Sequence, residues 1–303
     1  MIAAAVRGCL LGLALGDALG APFEFRRSTE IPDPIPALEL PWRGGPPGST
    51  TDDTAMARNL VTSLVERRGF DREDLMARHL KWFRSSPPDV GSLTRRVLRR
   101  VAAGTPAEEA ARAVWEERGP EVSAGNGSVM YCAPLGAAYA RRPDELLTLG
   151  PQLSALTHHD PRCQTAVVAV TQAVAAVTRG ETPRSAVRVA ISTVLDRDGG
   201  EELEYLVDAA GTTRPIDGPD QGFCLFTAAA GLQALARGDG FEPALRHVVA
   251  LGGDTDTNGA VAGALVGAAE GASALPRTWL ARLLDADQIE REAEGLIALA
   301  EAT

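Results

Sequence analysis

"GCLLGLALGDALGA", residues 8 to 21, and "GAVAGALVGAAEGA", residues 259 to 272, decide how this chain reads as a fold. Both have helical composition yet are crowded with glycine, which costs about 1 kcal/mol relative to alanine inside a helix. Close approach of two central backbones compensates for such a cost, so the two stretches predict tightly packed inner helices. Working outward, apolar residues recur at helical spacing in 54–69, 92–104, 106–119, 163–180, 183–200, 223–240 and 277–302, several stopping at a glycine. Alternating β-branched runs are nearly absent, and "RHVVAL" (246–251) reads better as a helix end than as a strand. The expectation is all-α: a compact orthogonal helical bundle, one domain over residues 1–303, with residues 26–50 a long Pro- and Gly-rich surface loop.

Composition narrows the function. The 303 residues are 45% hydrophobic and 23% charged, ample for a core, and the net charge of -10 offers no basic footprint for nucleic acid or an anionic membrane. Four scattered cysteines, Cys9, Cys132, Cys163 and Cys224, have no zinc spacing and read as buried thiols in a reducing compartment. The apolar N-terminus is interrupted by Arg7 and Asp17, which argues for an internal helix rather than a membrane span. A cytoplasmic protein is expected.

Two turns concentrate hard oxygen ligands. "STTDDTAMA" (49–57) offers Thr51, Asp52 and Asp53; "GGDTDTNGA" (252–260) offers Asp254, Asp256 and Thr257. They lie about 200 residues apart, so only the fold can join them. Four carboxylates gathered in one place repel unless cations intervene, and Mg²⁺ or Mn²⁺ takes oxygen ligands of this kind. A two-metal centre is one reading; a pair of helix N-caps is the other, since Ser, Thr and Asp serve both purposes. An isoprenoid-synthase DDxxD motif fails at Met56, and a haloacid-dehalogenase nucleophile would end a strand early in an α/β chain.

At these residues the sequence resembles the ADP-ribosylglycohydrolases. The resemblance is carried in order by "GLALGDALGAPFEF" (12–25), "TTDDTAMA" (50–57), "PPDVGS" (87–92), "SAGNGSVM" (123–130), "LTHHDP" (156–161) and "GGDTDTNGAVAGALVGA" (252–268). It implies an all-α hydrolase with two divalent cations, Mg²⁺ or Mn²⁺, that cleaves the glycosidic bond between ADP-ribose and a modified protein or small molecule. By position it makes Thr51, Asp52, Asp53, Asp254, Asp256 and Thr257 the metal ligands. It gives catalytic parts to Asp53 and Asp256 as ligands, and to Glu24 or Asp89 as general base or leaving-group partner. Asp17 would be structural, or would orient a ligand or cap a turn. Substrate binding would fall to Asp89, Gly91, Ser123, Gly125, Asn126, Gly127, Ser128 and His158, with the glycine-rich loop at the diphosphate; His159 has no assigned part. Two departures stand out: Tyr131 where many members have arginine, and Ala124 where an aromatic is common. The rival reading is a non-catalytic ADP-ribose binder or structural protein on the same fold. The linkage, arginine, serine, carboxylate or small molecule, is not legible in the sequence.

Overall fold

The computed structural model describes residues 1–43, 45–208 and 216–302, so Gly44 of the long loop and Thr303 at the end of the expected domain lie outside the described residues. Fifteen α-helices account for most of the described chain. They are α1 (Ile2–Gly20), α2 (Asp52–Arg67), α3 (Arg72–Arg84), α4 (Ser92–Ala102), α5 (Ala107–Arg118), α6 (Ala133–Ala138), α7 (Leu146–Ala155) and α8 (Pro161–Thr178), then α9 (Pro183–Val194), α10 (Gly200–Asp208), α11 (Cys224–Arg237), α12 (Phe241–Ala250), α13 (Thr255–Glu270), α14 (Arg277–Leu280) and α15 (Ala286–Ala302). The all-α expectation holds. "RHVVAL" does end a helix, α12. One expected element is corrected: 277–302 is not one helix but α14 and α15, separated by a turn at Ala281–Asp285. The sheet is one two-residue antiparallel pair, β1 (Arg26–Arg27) with β2 (Gly252–Gly253), in register Arg26 to Gly253.

The two glycine-rich stretches are the centre of the molecule. α1 and α13 run antiparallel with Gly8, Gly12 and Gly16 against Gly267, Gly263 and Gly259, backbone on backbone. A Cβ on Gly16 would overlap the carbonyl of Gly259, and one on Gly12 would overlap that of Gly263. Glycine every fourth residue puts these positions on one helix face. Around the pair, one apolar cluster draws buried side chains from helices between α1 and α15, with α8 buried along nearly its whole length. Ile2–Phe23 is long and apolar enough to cross a membrane by length and composition alone, but 78% of it is buried in the protein. It is the core helix.

This pairing places the site. Antiparallel packing brings the C-terminal end of α1 to the N-terminal end of α13, and α2 starts at the same spot. Two helix N-termini, each equivalent to a partial positive charge, therefore face one point, where carboxylates are favoured.

Candidate functional site

Asp17, inside α1 and fully buried, organises the first acidic turn. Its carboxylate accepts the N–H of Thr51 and the N–H and hydroxyl of Thr54, the N–H groups at 3.1 Å. Burial lifts its pKa to about 6. Thr51 is the N-cap of α2: its hydroxyl contacts the Asp53 N–H at 3.4 Å and Oδ2 at 3.1 Å. With the cap made by Thr51 and Asp17, the carboxylates of Asp52 and Asp53 are left over. Asp52 Oδ2 accepts the N–H of Gly91 at 3.1 Å. Asp53 is 1% exposed, and its Oδ1 is buried with no hydrogen-bond partner among the described residues. In the second turn Asp254 is the N-cap of α13 but makes no side-chain cap bond. Its Oδ2 instead accepts from Asn126 Nδ2 at 2.8 Å. Capping thus accounts for neither turn's surplus acids.

Glu24 completes the acidic wall. Antiparallel pairing of β1 with β2, together with the Phe25 N–H to Gly253 O bond at 2.7 Å, draws the chain after α1 against the second turn. Carboxylate oxygens of Glu24, Asp254 and Asp256 then lie within 4.8 Å of one another. Glu24, Asp52, Asp53, Asp89, Asp254, Asp256 and Thr257 line one open cleft of about 200 Å³. Among the described residues the only side-chain cation within ion-pair reach of these acids is Arg43, 3.0 Å from Glu24 and 3.7 Å from Asp89. Burial, then repulsion by neighbouring carboxylates, raises the pKa values of four of them. Glu24 rises to about 8, through burial and then Asp89 and Asp254, against the opposing pull of Arg43. Asp52 rises to about 7, through burial and then Asp89. Asp53 and Asp256 are held well above the usual carboxylate range by burial, then by neighbouring aspartates.

Such an arrangement costs folding free energy as it stands, because buried charges need partners. Divalent cations would supply them. The donor set is all hard oxygen, and the orphaned Asp53 Oδ1 is a ready ligand atom, so the residues fit Mg²⁺ or Mn²⁺.

The other end of the cleft is the glycine-rich loop. It is pinned to the start of α11 by Asn126 N–H to Gly222 O and Cys224 N–H to Ala124 O, both 3.0 Å. Gly125, Asn126, Gly127 and His158 line the cleft with Gly91, Ser92, Leu93 and Thr94. A Cβ on Gly127 would press on the His158 ring at 2.8 Å, so only glycine leaves room there. His158 is 3% exposed, hydrogen-bonded to Thr157 Oγ1 at 2.9 Å, and burial lowers its pKa to about 4; its imidazole is neutral at pH 7. Asn126 shares its amide between Asp254 and Thr227 Oγ1, and Thr227 donates to Asn258. It therefore ties the loop to the second acidic turn.

Not every expected residue reaches the cleft. The hydroxyls of Ser123 and Ser128 are committed to Gly119 O and to Ser154 Oγ, and neither residue lines the wall. Their hydroxyls hold the loop, which offers backbone N–H groups to a ligand; among the described residues those of Gly127 and Ser128 have no acceptor. Thr51 also stays behind the wall, its hydroxyl on Asp53. Neither departure lines the cleft. Tyr131 is fully buried against His79, ring centroids 5.3 Å apart, and Ala124 does not line the cleft. Sequence reasoning missed Arg43, which carries no motif within the long loop, and Phe25, whose position depends on a backbone twist.

Fold and cleft together define an all-α protein with a carboxylate-lined ligand cleft between two helix N-termini. The sequence profile of the ADP-ribosylglycohydrolases matches residues 2–303, and the chain belongs to that family. The ADP-ribosyl-[dinitrogen reductase] glycohydrolase of Rhodospirillum rubrum is 31% identical over 97% of this chain and 95% of its own. ADP-ribosylarginine hydrolase Tri1 of Pseudomonas putida (strain GB-1) is 28% identical, covering 96% of this chain and 77% of its own. A solved ADP-ribosylglycohydrolase-related protein complex superposes with a TM-score of 0.84 at 35% identity, covering 99% of both chains.

Proposed function

We propose that this chain, acting as one cytoplasmic domain over 1–303, is a divalent-metal-dependent hydrolase that releases ADP-ribose from a modified arginine side chain. The observation that carries it is the convergence of Glu24, Asp52, Asp53, Asp89, Asp254 and Asp256 in one cleft that ends at a glycine-rich loop. Asp52, Asp53, Asp254 and Asp256, with Thr257, would hold two Mg²⁺ or Mn²⁺ ions, and Thr51, behind the wall, would orient Asp53 through its hydroxyl. Bound there, the ions supply charge neutralisation and Lewis-acid activation of water. The loop N–H groups of Gly127 and Ser128 receive the diphosphate, and neutral His158 packs beneath them. At the opposite end Glu24 and Asp89 flank the bond to be cut. Water adds its oxygen to the anomeric carbon and its proton ends on the departing guanidine nitrogen. Glu24 and Asp89 are placed to pass that proton to the nitrogen and to stabilise positive charge on the sugar.

Arginine is favoured as acceptor because Glu24 and Asp89 already hold a guanidinium, that of Arg43. Two carboxylates suit a planar cation far better than a serine oxygen. Relatives include ADP-ribosylarginine hydrolases. The test follows free ADP-ribose released from arginine- and serine-modified proteins in EDTA, Mg²⁺ or Mn²⁺. Metal-dependent release from the arginine substrate supports the reading. Release from serine alone overturns the linkage, and ADP-ribose binding without any release returns the chain to a non-catalytic binder.

A further inference from the structure

The residue after Glu24 is the only aromatic with a positive φ among the described residues. Phe25 has φ of 63°, in the left-handed region, where a bulky side chain is an outlier. It is 51% exposed, whereas Phe23, two residues earlier, is 1% exposed in the core. It also lines the cleft. The conformation is imposed from both sides: the Phe25 N–H is fastened to Gly253 O at 2.7 Å, and Arg26 enters register with Gly253. Glycine would take this backbone without cost, so an aromatic here stores strain at a functional site. The strain has one visible effect, which is to stand a ring at the cleft mouth instead of returning it to the core.

The cleft has two ends, and Phe25 belongs to one of them. Leu93, Thr94, Gly125, Gly127 and His158 cluster at the loop end, where a Cβ on either glycine would meet the other members. Glu24, Asp89 and Arg43 form the other end, and Phe25 follows Glu24 directly. Phe25 lines the cleft from a position next to Glu24 in the chain, and its main chain is fastened to the second acidic turn, which puts its backbone on the acid side of the cleft and not on the glycine-rich loop.

We propose that Phe25 is the specificity-determining wall for the acceptor: its ring receives the guanidinium and stem of the modified arginine while Glu24 and Asp89 grip the edge. This rests on the hydrolase reading above. Aromatic faces attract guanidinium ions by stacking and by their quadrupole, which a carboxylate pair alone does not reproduce. The contact acts on substrate recognition, so its signature is in KM.

The test compares wild type with Phe25→Gly, Phe25→Leu and Phe25→Trp, each as the Mn²⁺-loaded full chain, on an ADP-ribosylarginine peptide. KM, kcat, the inhibition constant of free ADP-ribose and Tm are measured together. The expected result is a KM raised about tenfold in the Gly and Leu variants, kcat within about threefold, and recovery by Trp. Inhibition by ADP-ribose, which lacks the acceptor, should stay within about twofold, and Phe25→Gly should melt no lower than wild type because it relieves the backbone. Unchanged KM in Phe25→Gly, or equal weakening of ADP-ribose, overturns the proposal. A lower Tm without a KM effect assigns Phe25 to structure and overturns it too. No release by the wild type overturns the hydrolase reading, and this inference with it.

Discussion

The carboxylate of Asp17, at the heart of α1, accepts both the N–H and the hydroxyl of Thr54 in the first turn of α2. One buried acid thereby fixes the orientation of the neighbouring Asp52 and Asp53. Asp17→Asn keeps the shape but leaves a single oxygen for several donors. Hydrogen bonds to charged groups contribute about 1.5–3 kcal/mol, so a loss of about 2–3 kcal/mol in urea unfolding is expected. Misoriented ligands should also lower ion affinity about 10–100-fold, read by calorimetric Mn²⁺ titration. Unchanged affinity would remove Asp17 from any part in the site.

Metal binding should be linked to pH in a definite direction. Glu24 and Asp52 titrate near 8 and 7 in the ion-free protein, above their unfolded values. A raised carboxyl contributes stability that is present below its unfolded pKa and lost as pH rises through the folded one. EDTA-treated protein should therefore lose stability between about pH 4 and 8 from these groups. Added Mn²⁺ competes with those protons and should raise Tm more at pH 8 than at pH 6. An equal increment at both pH values would show that ions do not bind these carboxylates.

Asp256 separates function from folding. Its Oδ1 accepts the N–H of Thr257 at 2.9 Å, a bond that Asn can keep. Asp256→Asn removes one of several repelling buried charges, so in EDTA the variant should melt no lower than wild type. Turnover should fall at least about a hundredfold, since even groups that only orient metal ligands are worth 10–100-fold. Retained turnover would sink the two-metal reading.

Much of this was legible in advance, for identifiable reasons. Helices announce themselves through local periodicity, and the glycines of α1 and α13 signalled close packing because glycine has no other benefit inside a helix. The acidic turns were visible because hard-oxygen ligands cluster in sequence, though caps use the same residues. Only geometry separated the two, by giving the α2 cap to Thr51 and Asp17 and leaving Asp53 Oδ1 without a partner among the described residues. Composition could not say which way the hydroxyls of Ser123 and Ser128 turn; the fold turns both into the loop. Arg43 and Phe25 were invisible for a different reason: each matters through what the fold sets beside it.

The backbone-on-backbone contact of α1 with α13 yields the sharpest stability test. Any Cβ on Gly16 or Gly259 would lie inside van der Waals contact with the opposite helix's main chain, which cannot move aside as a side chain can. Overpacking of a tight core costs about 1–3 kcal/mol and occasionally more, so Gly259→Ala should lose about 3 kcal/mol or more in urea unfolding. The same separation also sets the distance between the acidic turns, because Gly16 is one residue from Asp17 and Gly259 three from Asp256. Ion affinity should fall along with stability. Gly104→Ala is the control: nothing lies within 4 Å of its Cβ, but φ of 102° makes alanine unfavourable there. It should cost about 1 kcal/mol through backbone strain and leave ion affinity unchanged. Equal costs at Gly259 and Gly104, with affinity intact in both, would mean that the helices can separate to admit a methyl group and that their contact does not set the site.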